Sequence, residues 1–382
     1  MSIRAVVLAA TLTATTILTV TGAAQAATAA SKFIPLAPQR VLDTRDGTGV
    51  EVEGDHLVLD LSRSVLADAN AVVMNLTGAD ANVDSFVTVW PDGETMPNSS
   101  NLNVSRGQTA ANMTTVALPA NLKLDIVVHG DLGVIADLAG FYSRAGGAGY
   151  VGHSPQRVLD TRTGAGPVGA NSSTVLDLSS VLPATATAVV FNLTGTNTTA
   201  GTFVTAWPDG TPRPSASTLN LTPGQTRANL VTVALPPNRK IDLYNLAGRV
   251  DLIADVSGYY AITGGDWFFP LSPRRLIDTR DSAPVGAGGS LTVDVSQQVL
   301  LSTSAVAVNI TATDASAATF LTAWPGDLGS RPDASTINLG PGDTVPNMAI
   351  VTLGNKSFQV YNLAGQVQVI VDLAGYFSSN VP

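Results

Sequence analysis

Acidic and basic side chains recur at three matched places in the chain: Asp43, Arg45 and Asp137; Asp160, Arg162 and Asp255; Asp278, Arg280 and Asp372. Two chemistries fit such a set. Paired carboxylates flanking a sugar can serve as acid and as nucleophile or base in glycoside hydrolysis. Alternatively, the arginine of each Asp-Thr-Arg triplet pairs with the late aspartate and ties the first strand of a unit to its last. The second reading is preferred, because the aspartate lies in an otherwise apolar strand where a lone charge is costly.

Other reactive groups are scarce. The three histidines, His56, His129 and His153, fall at unmatched positions, and there is no cysteine. A Ser-His-Asp, Cys-His or multi-histidine metal site is hard to assemble from these. Asp80-Ala81-Asn82-Val83-Asp84 alternates oxygen donors as calcium loops do, but lacks the turn glycine and terminal glutamate. No catalytic residue, metal ligand or cofactor is assigned, and the chain is expected not to be an enzyme.

Binding residues are sought at the aromatic loops. Trp90, Trp207 and Trp324 each end an apolar run just before a turn, near Asp92, Asp209, Arg213 and Arg331. An exposed Trp there offers a platform for a sugar ring, with the charged groups selecting hydroxyls. The competing reading folds the Trp inward to plug one end of a sandwich, and Phe203, Thr205 and Trp207 share one strand face in its favour. Asn75, Asn192 and Asn309, with Asn112, Asn229 and Asn347, lie in apolar strands, opposite in phase to the large side chains. They read as buried amides bonded to loop backbone, with ligand contact as the alternative.

The elements that position these groups come in three copies. Pro38-Gln39-Arg40-Val41-Leu42-Asp43-Thr44-Arg45 returns 117 residues on, from Pro155, and after another 118 as Pro273-Arg274-Arg275-Leu276-Ile277-Asp278-Thr279-Arg280. Trp-Pro pairs and closing segments such as Ala254-Asp255-Val256-Ser257-Gly258-Tyr259 keep the spacing. A period this long is a domain rather than a solenoid repeat. The expected organisation is a signal peptide over 1–26, then β-sandwich repeats over 27–143, 150–261 and 266–378. Gly-rich joints near 145–149 and 263–265 are short, so neighbours should touch. Trp267, beside Phe268 and Phe269, is expected to cement repeats two and three.

Within a copy the pattern is strand after strand. Thr174–Leu178, Ala188–Thr194 and Thr202–Trp207 alternate, and Val189, Phe191 and Leu193 share a face. Pro208-Asp209-Gly210 is a turn signal. Seven or eight short strands per copy predict an all-β chain of three tandem sandwiches, jelly-roll or Ig-like. A helical turn near Leu178 to Leu182 is the one exception.

The leader has one positive charge, Arg4, an apolar stretch and then Ala24-Gln25-Ala26, as a secretory signal does. Export is expected, with no membrane insertion after cleavage. Removing Arg4 takes the formal charge from −9 to −10, which gives no general attraction for nucleic acid or anionic lipid.

The Arg-Val-Leu-Asp-Thr-Arg, Trp-Pro-Asp-Gly and Ala-Asp-Val-Ser-Gly-Tyr segments together resemble a tandem repeat of secreted actinobacterial proteins. The resemblance spans nearly all of the chain after the leader and implies an extracellular, modular protein, without implying an activity. The function expected is a secreted binding or adhesion protein for cell-wall or other extracellular glycan or a surface protein partner. A scaffold or subunit of a surface complex is the alternative, and a carboxylate-dependent glycoside hydrolase the least favoured one.

Overall fold

The computed structural model describes residues 29–54 and 56–380; the expected leader, 1–26, lies outside them. Repeat 1 forms β1 (Lys32–Asp43), β2 (Glu51–Glu53), β3 (His56–Asp60), β4 (Ala69–Ala79), β5 (Ser85–Pro91), β6 (Leu102–Val104), β7 (Ala110–Ala117), β8 (Lys123–His129) and β9 (Gly133–Ser143). Repeat 2 forms β10 (Gly149–Asp160), β11 (Ser172–Asp177), β12 (Ala186–Thr196), β13 (Thr202–Pro208), β14 (Leu219–Leu221), β15 (Arg227–Ala234), β16 (Lys240–Asn245) and β17 (Asp251–Ala261). Repeat 3 forms β18 (Trp267–Asp278), β19 (Ser290–Asp294), β20 (Thr303–Thr313), β21 (Thr319–Pro325), β22 (Ile337–Leu339), β23 (Val345–Thr352), β24 (Ser357–Asn362) and β25 (Gln368–Ser378). The expected helical turn is a single one, closed by Leu182 N–H to Leu178 C=O.

Strand order decides between the two sandwich topologies. Repeat 2 joins β10-β17-β12-β15 in one sheet and β11-β16-β13-β14 in the other. Counted within the repeat, the first and eighth strands pair antiparallel, as do second and seventh, third and sixth, and fourth and fifth. That folded-over ribbon is a jelly roll; an Ig sandwich assorts its strands differently. Repeat 3 has the same order, and repeat 1 adds β2 at one sheet edge.

Each sheet pair encloses its own apolar core. In repeat 2 that core includes Leu176, Val189, Phe191, Leu193, Val204 and Leu243. The predicted face of Val189, Phe191 and Leu193 is therefore the one turned into the sandwich. The other face of β12 carries Ala188 and Val190, which belong to a fourth cluster shared by all three repeats. The sheet containing each repeat's first and last strands is thus buried on both sides, one side in its own sandwich and one at the centre of a ring.

The ring closes by three matching contacts. Phe33 of repeat 1 packs on Tyr260 of repeat 2 at 4.3 Å between ring centroids. Tyr150 of repeat 2 packs on Phe377 of repeat 3 at 4.4 Å, and Phe268 of repeat 3 on Tyr142 of repeat 1 at 4.1 Å. All six rings are at most 1% exposed. Burying a side chain of this size contributes about 2–3 kcal/mol of transfer free energy. Six together reach roughly 10–20 kcal/mol before ordering entropy, as large as the net stability of a whole domain. Gly140, Gly258 and Gly375 make room, because a Cβ at each would overlap the ring of Phe33, Tyr150 or Phe268.

At one end the three first strands hydrogen-bond in a triangle: Phe33 with Ala148, Tyr150 with Asp266 and Phe268 with Ser31, in both directions each. Trp267 lies here with Lys32 Nζ 4.6 Å from its ring centroid. It therefore meets repeat 1 where the ring closes, a correction to its expected place between repeats two and three. Farther along, the buried asparagines form a second cycle. Asn229 donates to Asn75, Asn347 to Asn192 and Asn112 to Asn309, at 2.8, 2.9 and 3.0 Å. Each also accepts from a neighbour's backbone: Asn229 from Met113 N–H, Asn347 from Leu230 N–H and Asn112 from Met348 N–H. These amides bond to loop backbone as expected, Asn112, Asn229 and Asn347 to the Asn101, Thr218 and Thr336 carbonyls of their own repeats, and to the adjacent repeat as well.

Candidate functional site

The residues expected to bind a ligand do not converge. Trp90, Trp207 and Trp324 are only 5, 6 and 6% exposed, so no sugar can stack on them. The inward alternative is also not what the fold does. Val204 and Ala206 face the sandwich core, so Trp207 stands on the outer face, as alternation requires. The loop after it folds over the indole: Trp207 Nε1 donates to Thr211 C=O and Thr205 Oγ1 to Ala216 C=O. Trp90 Nε1 likewise donates to Glu94 C=O. Asp92 and Asp209 accept from Asn121 and Asn238 and hold the loops together. Arg213 lies over the Tyr244 ring at 3.7 Å and Arg331 over Tyr361 at 4.6 Å.

The expected ion pairs form with different partners. Asp137 is held by Arg40, through Nε at 2.9 Å and Nη2 at 3.2 Å. Asp255 is held by Arg157 and Asp372 by Arg275 in the same way. Arg45, Arg162 and Arg280 instead turn back onto Asp43, Asp160 and Asp278, two residues earlier. The reason is register: Arg40 stands directly opposite Asp137 in the ladder, and Arg157 opposite Asp255, each just before a β-bulge. Arg40 and Arg275 also bridge their own two carboxylates. Each repeat thus carries an alternating row, buried aspartate, arginine, aspartate, then a half-exposed arginine.

Electrostatics follow burial. Burial pushes the Asp137, Asp255 and Asp372 carboxyls upward, and the paired arginine opposes it. Asp43 and Asp278 are pulled down to about 2, first by the Arg45 and Arg280 side chains that bond them. Each carboxylate of these rows has a guanidinium partner.

The same arginines reach across to the next repeat. Arg40 Nη2 donates to Ser215 C=O and Arg275 Nη2 to Asn98 C=O, while Arg157 Nη1 lies 3.5 Å from the Asp333 carboxylate. Clefts open beside these crossings, where the outer sheet of one repeat leans on the inner sheet of another. Between repeats 3 and 1 the cleft measures about 520 Å³. One wall is apolar: Phe86 stacks on His129 at 4.2 Å and 20°, with the half-exposed Met96 beside them. Asn103, paired with Phe86 across β5 and β6, lies on the same wall, and repeat 3 presents Arg280, Thr311 and Thr313. The Arg280 side chain is 51% exposed, its Nε and Nη2 on Asp278; its Nη1 has no bond to another described residue.

The corresponding cleft between repeats 2 and 3 measures about 140 Å³, with Phe320 and Asp333 opposite Arg157 and Arg162. Small-molecule sites are commonly about 300–1,000 Å³, a range that includes the cleft between repeats 3 and 1 and excludes the one between repeats 2 and 3. Another opening of about 340 Å³ is lined by Pro91, Pro119 and Pro270 with Asn70, Glu94, Arg144 and Ser272, and has no aromatic ring in its wall. The acidic loop taken as a weak calcium pattern is tied internally, Asn82 to Asp131 and Asp84 to Arg106 N–H. Sequence reasoning missed Phe86 and its counterparts Phe203 and Phe320, which sit four residues before each Trp.

No protein-family model matches the chain, and no curated protein matches it. Among solved structures, the CBM22-1–CBM22-2 tandem domain of Paenibacillus barcinonensis Xyn10C aligns with 60% of this chain and 94% of its own length, at 11% identity and a TM-score of 0.19. Sulfolobus Turreted Icosahedral Virus gives 92% and 91% at 11% identity and a TM-score of 0.19. A triple jelly roll from an archaeal virus gives 92% and 90% at 11% identity and a TM-score of 0.18. Scores this low carry no functional argument, and the jelly-roll assignment rests on the strand order.

Proposed function

We propose that the chain is an exported, non-catalytic carbohydrate-binding protein whose principal site is the cleft between repeats 3 and 1. The observation that carries this reading is the cleft's two-sided chemistry. A flat aromatic pair, Phe86 on His129 with Asn103 beside it, shares a cleft of about 520 Å³ with Arg280 and Thr313 of repeat 3. The C–H face of a pyranose packs against such a ring, while its hydroxyls exchange water for fixed donors and acceptors. The non-catalytic part is supported by the arginine partners of every carboxylate in the repeated rows. Export is supported by the signal-like leader.

The test is retention of chain 27–382 on purified cell walls and on a panel of extracellular glycans, with Phe86→Ala and Arg280→Ala as controls. Saturable binding that both substitutions weaken, in variants with unchanged melting, is the expected result. Binding to none of these surfaces would refute the reading. It would leave the scaffold alternative, which the closed ring of three jelly rolls favours because it makes a rigid body with three outward-facing sheets.

A further inference from the structure

The cleft between repeats 2 and 3 differs from the larger one in the charge carried at its rim. There the Asp333 side chain, 98% exposed, stands 3.5 Å from Arg157 Nη1, the counterpart of Arg275, at the rim of a cleft that Arg162 also lines. The counterpart of Asp333 is Asn98 in the cleft between repeats 3 and 1, and Ser215 in the remaining one, fixed by the matched arginine contacts to their carbonyls.

The arginine at that larger opening is Arg280, bonded to Asp278 and with Asp281 and Asp314 in its surroundings. Asp278 grips Arg280 through Nε and Nη2 and so sets the plane of the guanidinium. Nη1 remains on a side chain that is 51% exposed. A planar guanidinium held in this way meets a carboxylate with charge-assisted bonds and little loss of side-chain freedom. Arg275 is already occupied by Asp372, Asp278 and the Asn98 carbonyl, so it supports the cleft wall and leaves recognition to Arg280.

We propose that the cleft between repeats 3 and 1 binds an acidic sugar, a uronic-acid unit within a polysaccharide, with its carboxylate at Arg280 and its ring against Phe86. This rests on the carbohydrate-binding reading and narrows it to one ligand class and one site per chain. The net charge of −10 expected after leader removal opposes long-range capture of an anion, so recognition falls to these short-range contacts.

Isothermal titration of chain 27–382 tests it with three probes: tetragalacturonate, its methyl ester and the neutral galactan tetrasaccharide. The expected result is one acid bound per chain, at least tenfold tighter than ester or neutral sugar. Arg280→Gln should erase that preference and Arg162→Gln should leave it intact. Asn98→Asp, which reproduces the arrangement of Asp333, should abolish acid binding in a folded protein. Equal affinity for acid, ester and neutral sugar, all weakened by Phe86→Ala, would overturn the acidic specificity and leave the carbohydrate reading standing. Binding of no glycan at all, acidic or neutral, would overturn both.

Discussion

Replacing Arg157 and Arg162 separately by alanine separates two roles that the repeated row of charges combines. Arg157 bonds Asp255 at 2.9 and 3.1 Å, and the Asp255 side chain is 1% exposed. Without Arg157 that carboxylate stays buried with no counter-charge, a loss of about 3–5 kcal/mol. Arg162 is 43% exposed, and its Asp160 partner, 12% exposed, keeps Arg157 Nη1 at 3.6 Å when Arg162 is removed, so this pair is worth about 0.2–1 kcal/mol. With a urea slope of about 3 kcal/mol/M, the midpoint should fall by roughly 1–1.7 M for Arg157→Ala and by about 0.1–0.3 M for Arg162→Ala. Urea titrations of chain 27–382, followed by tryptophan fluorescence and far-ultraviolet circular dichroism, give both numbers. A pH series adds the sign. In Arg157→Ala the burial that already pushes Asp255 up acts unopposed. Its folded pKa then lies above the unfolded value near 3.9, so the folded state binds the proton more readily. The deficit should therefore shrink as pH falls from 7 towards 4. Equal losses for the two variants, or a larger one for Arg162→Ala, would refute the assignment of the buried pair.

Three other predictions concern the ring and its charges. Tyr142 and Tyr260 share one hydrogen bond, 2.5 Å between hydroxyls, in a fully buried setting. Tyr260→Phe should destabilise by about 1–3 kcal/mol and the double change to Phe by clearly less than the sum of the singles, in a double-mutant cycle read by denaturation. Asn229→Ala removes bonds to Asn75, the Thr218 carbonyl and Met113 N–H; a loss of about 3 kcal/mol or more and faster proteolysis at the Gly-rich joints are expected. Asp43 and Asp278, held near 2, contribute stability that is present above about pH 4 and lost as pH falls through 2. An acid titration at constant ionic strength should show that loss, and Asp278→Asn should remove part of it.

Much of the fold could be read from the chain because two periods are strict in it. The 117–118 residue spacing marks the repeats, and two-residue alternation put Val189, Phe191 and Leu193 on one face. What failed was whatever depends on register or on a loop's path. Arg40 and Arg45 are equally plausible partners for Asp137 until the bulge after Arg40 is known. Trp207 was placed correctly on the face of Phe203 and Thr205, but which face met the core, and that a loop would cover the other, are tertiary facts. A signal for the ring was nevertheless present. Ala188, Val190 and Asn192 fill the second face of a strand whose first face is already apolar, and a strand apolar on both sides is one buried on both sides.

Ring closure has a consequence for how many repeats the chain can hold. Each interface is heterologous: the inner sheet of one repeat meets the outer-sheet loops of another, and every repeat carries both halves. Such contacts form a closed cycle only when the rotation per copy divides a full turn, and here three copies complete it through Ser31 and Phe268. A fourth repeat would have no vacant face to occupy, and two would leave the aromatic centre open to water. The copy number is therefore set by an angle between neighbours, and the short glycine joints only connect partners whose surfaces already define the assembly.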